Sequence, residues 1–331
     1  MKPRVVQYLC CPACQAELRL ESARTEGDDV MEGALACAGC AAVYPIRGGV
    51  PRFADDVGGI EKETAAAFGW EWNQYSELEP RYRQQFLDWI RPVGPAFFRD
   101  KVVLEGGCGK GRHTALAAEF GARDVISLDL GDAVTAAFRN TRHLPNAHIV
   151  QADLNRPPVK RVVDYAFSVG VLHHTPEPER GFRALSSCLK PGGAISAWVY
   201  GREGNGWIVH VVTPIRERVT ARLPHGLLDV ISGALTVPLW LATKLVYGPT
   251  RRSRAAAVLP YREYLSYIAP FPFREQRSIV FDHLVTPIAF YLRREEFAGW
   301  FERSGLRDVR IEHHNANSWR GFGVVPAPAE R

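Results

Sequence analysis

Four cysteines in two C-x-x-C pairs, Cys11/Cys14 and Cys37/Cys40, form the clearest metal-ligating pattern in the chain. With 22 residues between the pairs, each knuckle presents two thiolates on a tight turn. Together they can close a tetrahedral Zn²⁺ shell with no position left for water, so the expected metal is structural. Cys10 is one thiol more than the shell needs, and Cys11-Pro12-Ala13-Cys14 makes the better knuckle. A segment of about fifty residues buries too little apolar surface to hold its own fold, and a metal supplies the difference.

A second set of residues could hold a nucleoside. Val102-Val103-Leu104 reads as a short buried parallel strand ending at Glu105, and Gly107, Gly109 and Gly111 follow as a turn into a helix. Glycines at this spacing turn the backbone tightly and let a ligand lie against bare N–H groups. The dinucleotide fingerprint G-x-G-x-x-G needs a third glycine where this chain has Arg112, which argues against NAD. Asp129, about 20 positions on, stands where a carboxylate accepts bonds from both ribose hydroxyls.

The elements that must position these groups alternate in type. Strands are predicted at 124–129, 148–153, 162–171 and 194–200, with helices near 113–120, 132–142 and 177–189. Gly121 caps the first of these helices, and Lys190-Pro191-Gly192-Gly193 turns the last into its strand. Strands alternating with helices mean a doubly wound α/β fold on a mostly parallel sheet. Before it, residues 17–20 and 34–36 suit hairpin strands between the cysteine pairs. Asp55–Gly59 reads as a hinge, and a helical connector rich in aromatics runs to residue 100. In that connector Trp70, Trp72 and Tyr75 are candidates for a lid, against the plainer expectation of a packed helix pair.

Two family resemblances follow from these residues. The run from Cys11 through Cys40 to Tyr44-Pro-Ile-Arg-Gly-Gly-Val-Pro51 resembles the small zinc-ribbon family that activates tRNA and release-factor methyltransferases, here fused to a larger domain. Glu105-Gly-Gly-Cys-Gly-Lys-Gly111, Asp129, Gln151-Ala-Asp153, Gly170-Val-Leu-His-His-Thr175 and Leu189-Lys-Pro-Gly-Gly193 resemble class I S-adenosylmethionine-dependent methyltransferases of the type 11 group. That resemblance implies a Rossmann-like sheet of seven strands and S-adenosyl-L-methionine as cofactor. It also implies that Glu105, Gly107, Gly109 and Gly111 hold the methionine end, Asp129 the ribose and Asp153 the adenine amine. Cys108, Leu130, Ala152, Leu154 and Val169 flank these positions and complete the expected contacts. The expected domains are a ribbon over 1–54, a connector over 55–100 and a cofactor domain over 101–331.

Methyl transfer is an in-line displacement in which alignment and water exclusion do most of the work, and a base matters most for a hydroxyl acceptor. His173 and His174 end the fourth strand beside the topological switch point. Asp282, His283 and Tyr291 are further base candidates. Residues 202–284 exceed the minimal fold and are expected to form a substrate lid. Within them 226–247 is strongly apolar, with no charge from Val230 to Thr243, too short for a confident membrane span and interrupted by Pro238. A buried or dimer-forming helix is the first expectation. Attachment to a membrane surface, helped by Arg251, Arg252 and Arg254, is the second, and a hydrophobic substrate channel is the third. Residues 293–304 read as a closing helix, 306–313 and 321–325 as the last strands, and 315–320 as a polar loop toward the pocket.

The net charge of +5 is mild, and residues 1–55 carry seven acids and six Lys or Arg, with no basic stripe for nucleic acid. A small-molecule acceptor, taking the methyl on O or N, is therefore expected over RNA, with a non-catalytic cofactor-binding scaffold as the third reading. Clustered cysteines without a visible leader point to a reducing, cytoplasmic setting.

Overall fold

The computed structural model describes residues 1–54, 58–253 and 257–327. Most of the expected hinge and Arg254 lie outside the described residues. The N-terminal sheet is antiparallel, in the order β1 (Leu18–Glu26), β2 (Asp29–Cys37), β3 (Val43–Arg47), β4 (Val50–Pro51). Its first hairpin runs much further than the alternations at 17–20 and 34–36 foretold. The outer part of β1, Arg24-Thr25-Glu26, is exposed on both faces and carries no hydrophobic alternation to read.

The second sheet has seven strands in the order β10-β11-β9-β8-β5-β6-β7. They are β5 (Val102–Gly106), β6 (Asp124–Asp129), β7 (Ala147–Gln151), β8 (Val163–Val169), β9 (Leu189–Tyr200), β10 (Arg307–His314) and β11 (Ser318–Val324). Strands β5 to β9 are mutually parallel, and β11 joins β9 antiparallel. Every residue of β5 is buried, as a central strand covered on both faces requires. Strand β9 starts earlier than expected. Lys190-Pro-Gly-Gly193 is not a helix-ending turn but an irregularity within the strand, where pairing jumps from Val163↔Leu189 to Tyr165↔Ala194 and Gly192 takes φ +79°.

Eleven α-helices accompany the sheets among the described residues. The connector gives α1 (Gly59–Gln74) and α2 (Tyr82–Trp89); α3 (Arg112–Glu119), α4 (Ala133–Thr141) and α5 (Pro178–Ser187) are the crossovers. The insertion supplies α6 (Thr213–Arg218), α7 (His225–Ala242), α8 (Gly248–Thr250), α9 (Arg262–Ile268) and α10 (Phe273–Val285), and α11 (Arg294–Arg303) leads to the last hairpin. Helix α7 continues through a wider turn into α8, and Pro238 sits inside it without ending it. Of the expected buried or dimer-forming helix, burial within the chain is not what the structure shows. Leu228, Ser232, Thr236, Thr243 and Tyr247 are covered, while most of the apolar remainder faces outward.

The ribbon is seated on the β7 edge of the large sheet. Arg52 bridges Gln151 of β7 in parallel register, and the Phe53 N–H donates to the Gln151 carbonyl at 2.8 Å. Further along, Leu9 pairs with Val159, and buried Asp124 accepts bonds from Arg4 (2.6 Å), Tyr8 (2.7 Å) and His148 (2.7 Å). One apolar cluster runs from Val5, Leu9 and Leu35 of the ribbon through to Leu104 and Val150 of the sheet. Covering β7 in this way removes an open strand edge that would otherwise invite pairing with another chain.

Candidate active site

The four ribbon thiols converge. The Sγ atoms of Cys11, Cys14, Cys37 and Cys40 lie within 4.8 Å of one another, with Cys14–Cys37 at 3.5 Å and Cys11–Cys40 and Cys37–Cys40 at 3.6 Å. A tetrahedral shell with Zn–S near 2.3 Å needs sulfurs about 3.8 Å apart, so the set fits zinc. The Gly39 and Cys40 N–H groups point at Cys37 Sγ (3.3 and 3.4 Å) and the Tyr44 hydroxyl at Cys11 Sγ (3.1 Å), supports that favour thiolates. Cys10 stands apart, bonded to Gln15.

At the carboxyl edge of the sheet a cavity of ≈230 Å³ runs from the glycine loop to the inner face of the insertion. The loop is pinned by its own backbone: Gly107 and Cys108 N–H donate to Leu128 O (2.8 and 2.9 Å), and Gly109 N–H to Asp129 Oδ2 at 2.8 Å. Asp129 also accepts the Gly131 N–H at 3.0 Å, and its burial raises its pKa. A carboxylate has about four acceptor positions, so two remain for a diol. Gly107, Cys108, Gly109, Asp129, Leu130, Asp153, Leu154 and Val169 all line the cavity. This is a glycine cradle with two strand-end acids, a donor and acceptor set that fits the methionine, ribose and adenine parts of S-adenosylmethionine.

Three expected cofactor residues do not reach this space. Glu105 is buried below the loop, where its Oε2 accepts Thr114 (2.5 Å) and Ser127 (2.9 Å), and burial pushes its pKa up to about 7. It holds α3 and β6 to β5 rather than touching the cavity. Gly111 is packed against Ala137 and Thr141 of α4, and Ala152 is fully buried in the core.

The lid expectation for the connector holds for one residue of the three. Trp72 covers the loop, and a Cβ built on Gly109 would stand 3.0 Å from its Nε1. Trp70 instead stacks on Phe281, and Tyr75 bonds to Asp229, so both tie the connector to the insertion. Gly109 also has φ +51°. The Gly109→Ala variant should therefore bind S-adenosylhomocysteine about tenfold more weakly by calorimetry, the cost of strain and a displaced tryptophan.

The candidate bases divide. His173 is fully buried behind Tyr200 with neither ring nitrogen bonded, and it does not line the cavity. Its catalytic assignment is corrected: the 3₁₀ turn at 172–174 points it into the core. His174 does line the cavity, with Nδ1 donating to Ile288 O at 2.7 Å, and burial drops its pKa to about 3. Asp282, His283 and Tyr291 line the same wall, and His283 is lowered to about 4 by burial and Arg216. Asp282 is raised by burial to about 6, against the pull of Arg112 and Arg216.

Sequence reasoning missed Glu71, whose Oε1 accepts Ser278 at 2.7 Å while Oε2 faces no partner. Burial, with Asp282 nearby, pushes it well above the carboxylate range. Lys110, Glu275 and the tyrosines 264 and 267 were missed too. An acid inside the aromatic run Phe68-Gly-Trp-Glu-Trp72 was the one available signal. Asn315 and Asn317 do reach the cavity, as the polar loop foretold.

Five parallel strands with crossovers and a closing antiparallel hairpin, and a glycine cradle at the switch point, define a class I nucleoside-cofactor fold. Residues 104–197 match the family profile described as a methyltransferase domain, and residues 2–49 that of Trm112p-like proteins. The chain thus carries a class I S-adenosylmethionine-dependent methyltransferase domain behind a Trm112p-like four-cysteine ribbon. It is 28% identical over 142 residues to a tRNA U34 carboxymethyltransferase of Pseudoalteromonas translucida, covering 42% of this chain and 39% of the relative. It is 29% identical over 185 residues to a ubiquinone biosynthesis O-methyltransferase of Acinetobacter baumannii, covering 53% and 74%. The chain therefore spans less than half of the first relative. Among solved structures, the complex of the Haloferax volcanii Trm112 methyltransferase activator with a methyltransferase aligns at 13% identity and a TM-score of 0.45, covering 82% of this chain and 100% of that one.

Proposed function

We propose that this protein transfers the methyl group of S-adenosylmethionine to an oxygen or nitrogen of a small molecule enclosed beneath residues 202–284. The observation that carries this reading is the continuity of one cavity, from the glycine loop and strand-end acids to Asp282, His283 and Tyr291 of the insertion side. The sulfonium of the cofactor, when bound, supplies an activated methyl carbon. The protein's own task is to align the acceptor, exclude water and take a proton. Trp72 and the helices of the insertion close the space, and Asp282 offers a carboxylate oxygen, Oδ1, with no protein partner. Ionised at neutral pH, it can accept the hydrogen of a hydroxyl or amine acceptor.

Titration of the protein with S-adenosylhomocysteine tests the first half of this reading, and absence of binding would falsify it. The Asp129→Ala variant should bind about 1.5–3 kcal/mol more weakly, the worth of hydrogen bonds to a charged group.

The tRNA-modifying relative favours a second reading, an RNA acceptor. No residue of the described ribbon lines the cavity, and its charges balance, so this reading requires RNA to approach across the insertion. Binding to bulk RNA that weakens steeply with salt would support it over the small-molecule reading.

A further inference from the structure

Twelve of the 18 large hydrophobic side chains exposed on the described surface belong to residues 202–284, a quarter of the chain. They are not scattered. Trp207, Val211, Ile215 and Val219 follow one another at four-residue spacing along the first helical stretch of the insertion. On α7 and its continuation, Leu227, Val230, Leu241 and Leu245 are 44–71% exposed and lie on one face, opposite the covered stripe of Leu228, Ser232, Thr236 and Thr243. Apolar residues repeated along one side of a helical stretch in this way mark a contact site rather than ordinary exposure.

Charge indicates what covers it. Residues 206–253 hold six Lys or Arg against two acids; Arg216 is buried and Lys244 is turned inward, which leaves four exposed cations. Arg218 and Arg222 stand exposed just before α7, and Arg251 and Arg252 just after its continuation. One of the two acids, Asp229, is taken by an ion pair with Arg277 at 2.5 Å and by the Tyr75 hydroxyl. An apolar face with cations at both ends complements an anionic lipid surface, where buried side chains and attracted arginines act together. A second copy of this chain would bring the same arginines against one another.

Length and hydropathy would let His225–Thr250 cross a bilayer, but its other side is tied to the protein. Lys244 donates to the carbonyls of Ala269 (2.6 Å) and Phe271 (3.0 Å), Thr243 to Gln276 (3.1 Å), and Arg277 holds Asp229. The helix is built to lie along a surface.

We propose that the outer face of the insertion docks on an anionic membrane surface. This inference is independent of the methyl-transfer reading, which calorimetry tests separately. The full chain is sedimented with phosphatidylcholine vesicles, with and without phosphatidylglycerol. It should pellet with the anionic vesicles and be released as potassium chloride rises. Leu241→Asp/Leu245→Asp should weaken this binding on the order of tenfold or more, because two leucines lose their burial, while S-adenosylhomocysteine affinity and melting temperature stay unchanged. No binding to either vesicle overturns the proposal, as does a double variant that pellets like the parent. A dimer in sedimentation equilibrium that the same substitutions abolish would assign the face to a second copy and overturn it equally.

Discussion

Replacing Asp282 by asparagine is expected to lower kcat by about 10²–10⁴-fold, the usual worth of a positioned general base. The choice among the sequence candidates rests on ionisation. His283 and His174 are held near 4 and 3, so each is neutral at working pH, but as a base each is too weak to retain a proton. His173 does not touch the cavity. Asp282 has a folded pKa of about 6, high enough to take a proton and low enough to be ionised near pH 7. Its group is active when deprotonated, so kcat should rise with pH up to about 6 and level off above. The asparagine variant should lose that rise while keeping its affinity for S-adenosylhomocysteine. A variant with the parent's rate and pH profile would remove Asp282 from the reaction. The size of the loss also reports on the acceptor, since a hydroxyl depends on a base more than an amine does.

The second large effect concerns the metal. Cys37→Ser/Cys40→Ser should reduce bound zinc from one per chain to almost none and lower the melting temperature on the order of 10 °C. A structural zinc shell is worth roughly 10–16 kcal/mol in isolated fingers at neutral pH, and even a third of that shifts a domain of this size by such an amount. Damage should not stop at the ribbon. The apolar cluster is continuous from Leu35 to Val150, and Arg4 and Tyr8 are what pair Asp124 from the ribbon side. Metal analysis and thermal unfolding monitored on the same sample check both parts. Unchanged zinc content would place the metal elsewhere.

The parts of the molecule legible in the sequence are those where one residue type has one physical reason to be there. Paired knuckles, glycines before a helix and acids at strand ends each answer a local demand, and the cysteine shell and the Asp129 and Asp153 positions follow from them. Glu105 misled because a strand-end acid has two uses, and only the fold reveals that Thr114 and Ser127 take its oxygen. The two histidines at 173 and 174 are indistinguishable as letters; a single 3₁₀ turn sends one to the core and one to the cavity. Glu71 and Glu275 were invisible because their partners lie some 200 positions away in the chain: Ser278 of α10 bonds Glu71 of α1, and Tyr82 of α2 bonds Glu275. The outward exposure of helix α7 was not legible for a related reason. Apolar composition alone does not say whether protein or solvent covers the outward side.

The seating of the ribbon also dictates an order of events during synthesis. Its four thiols all fall within the first 40 residues, whereas its seat is built from partners 99 to 150 positions further on: Arg4 and Tyr8 with Asp124, Arg52 with Gln151, Leu9 with Val159. A ribosome delivers the N-terminal part first, at about 5–20 residues per second. With a metal available, the four thiols can therefore close many seconds before the strand the ribbon must cover exists, and the ribbon then waits as a finished piece beside the growing chain. When β7 emerges, its open edge meets a partner already attached to the same polypeptide. Fusion thus makes shielding of that edge a first-come event, in which the chain's own ribbon arrives ahead of any neighbour.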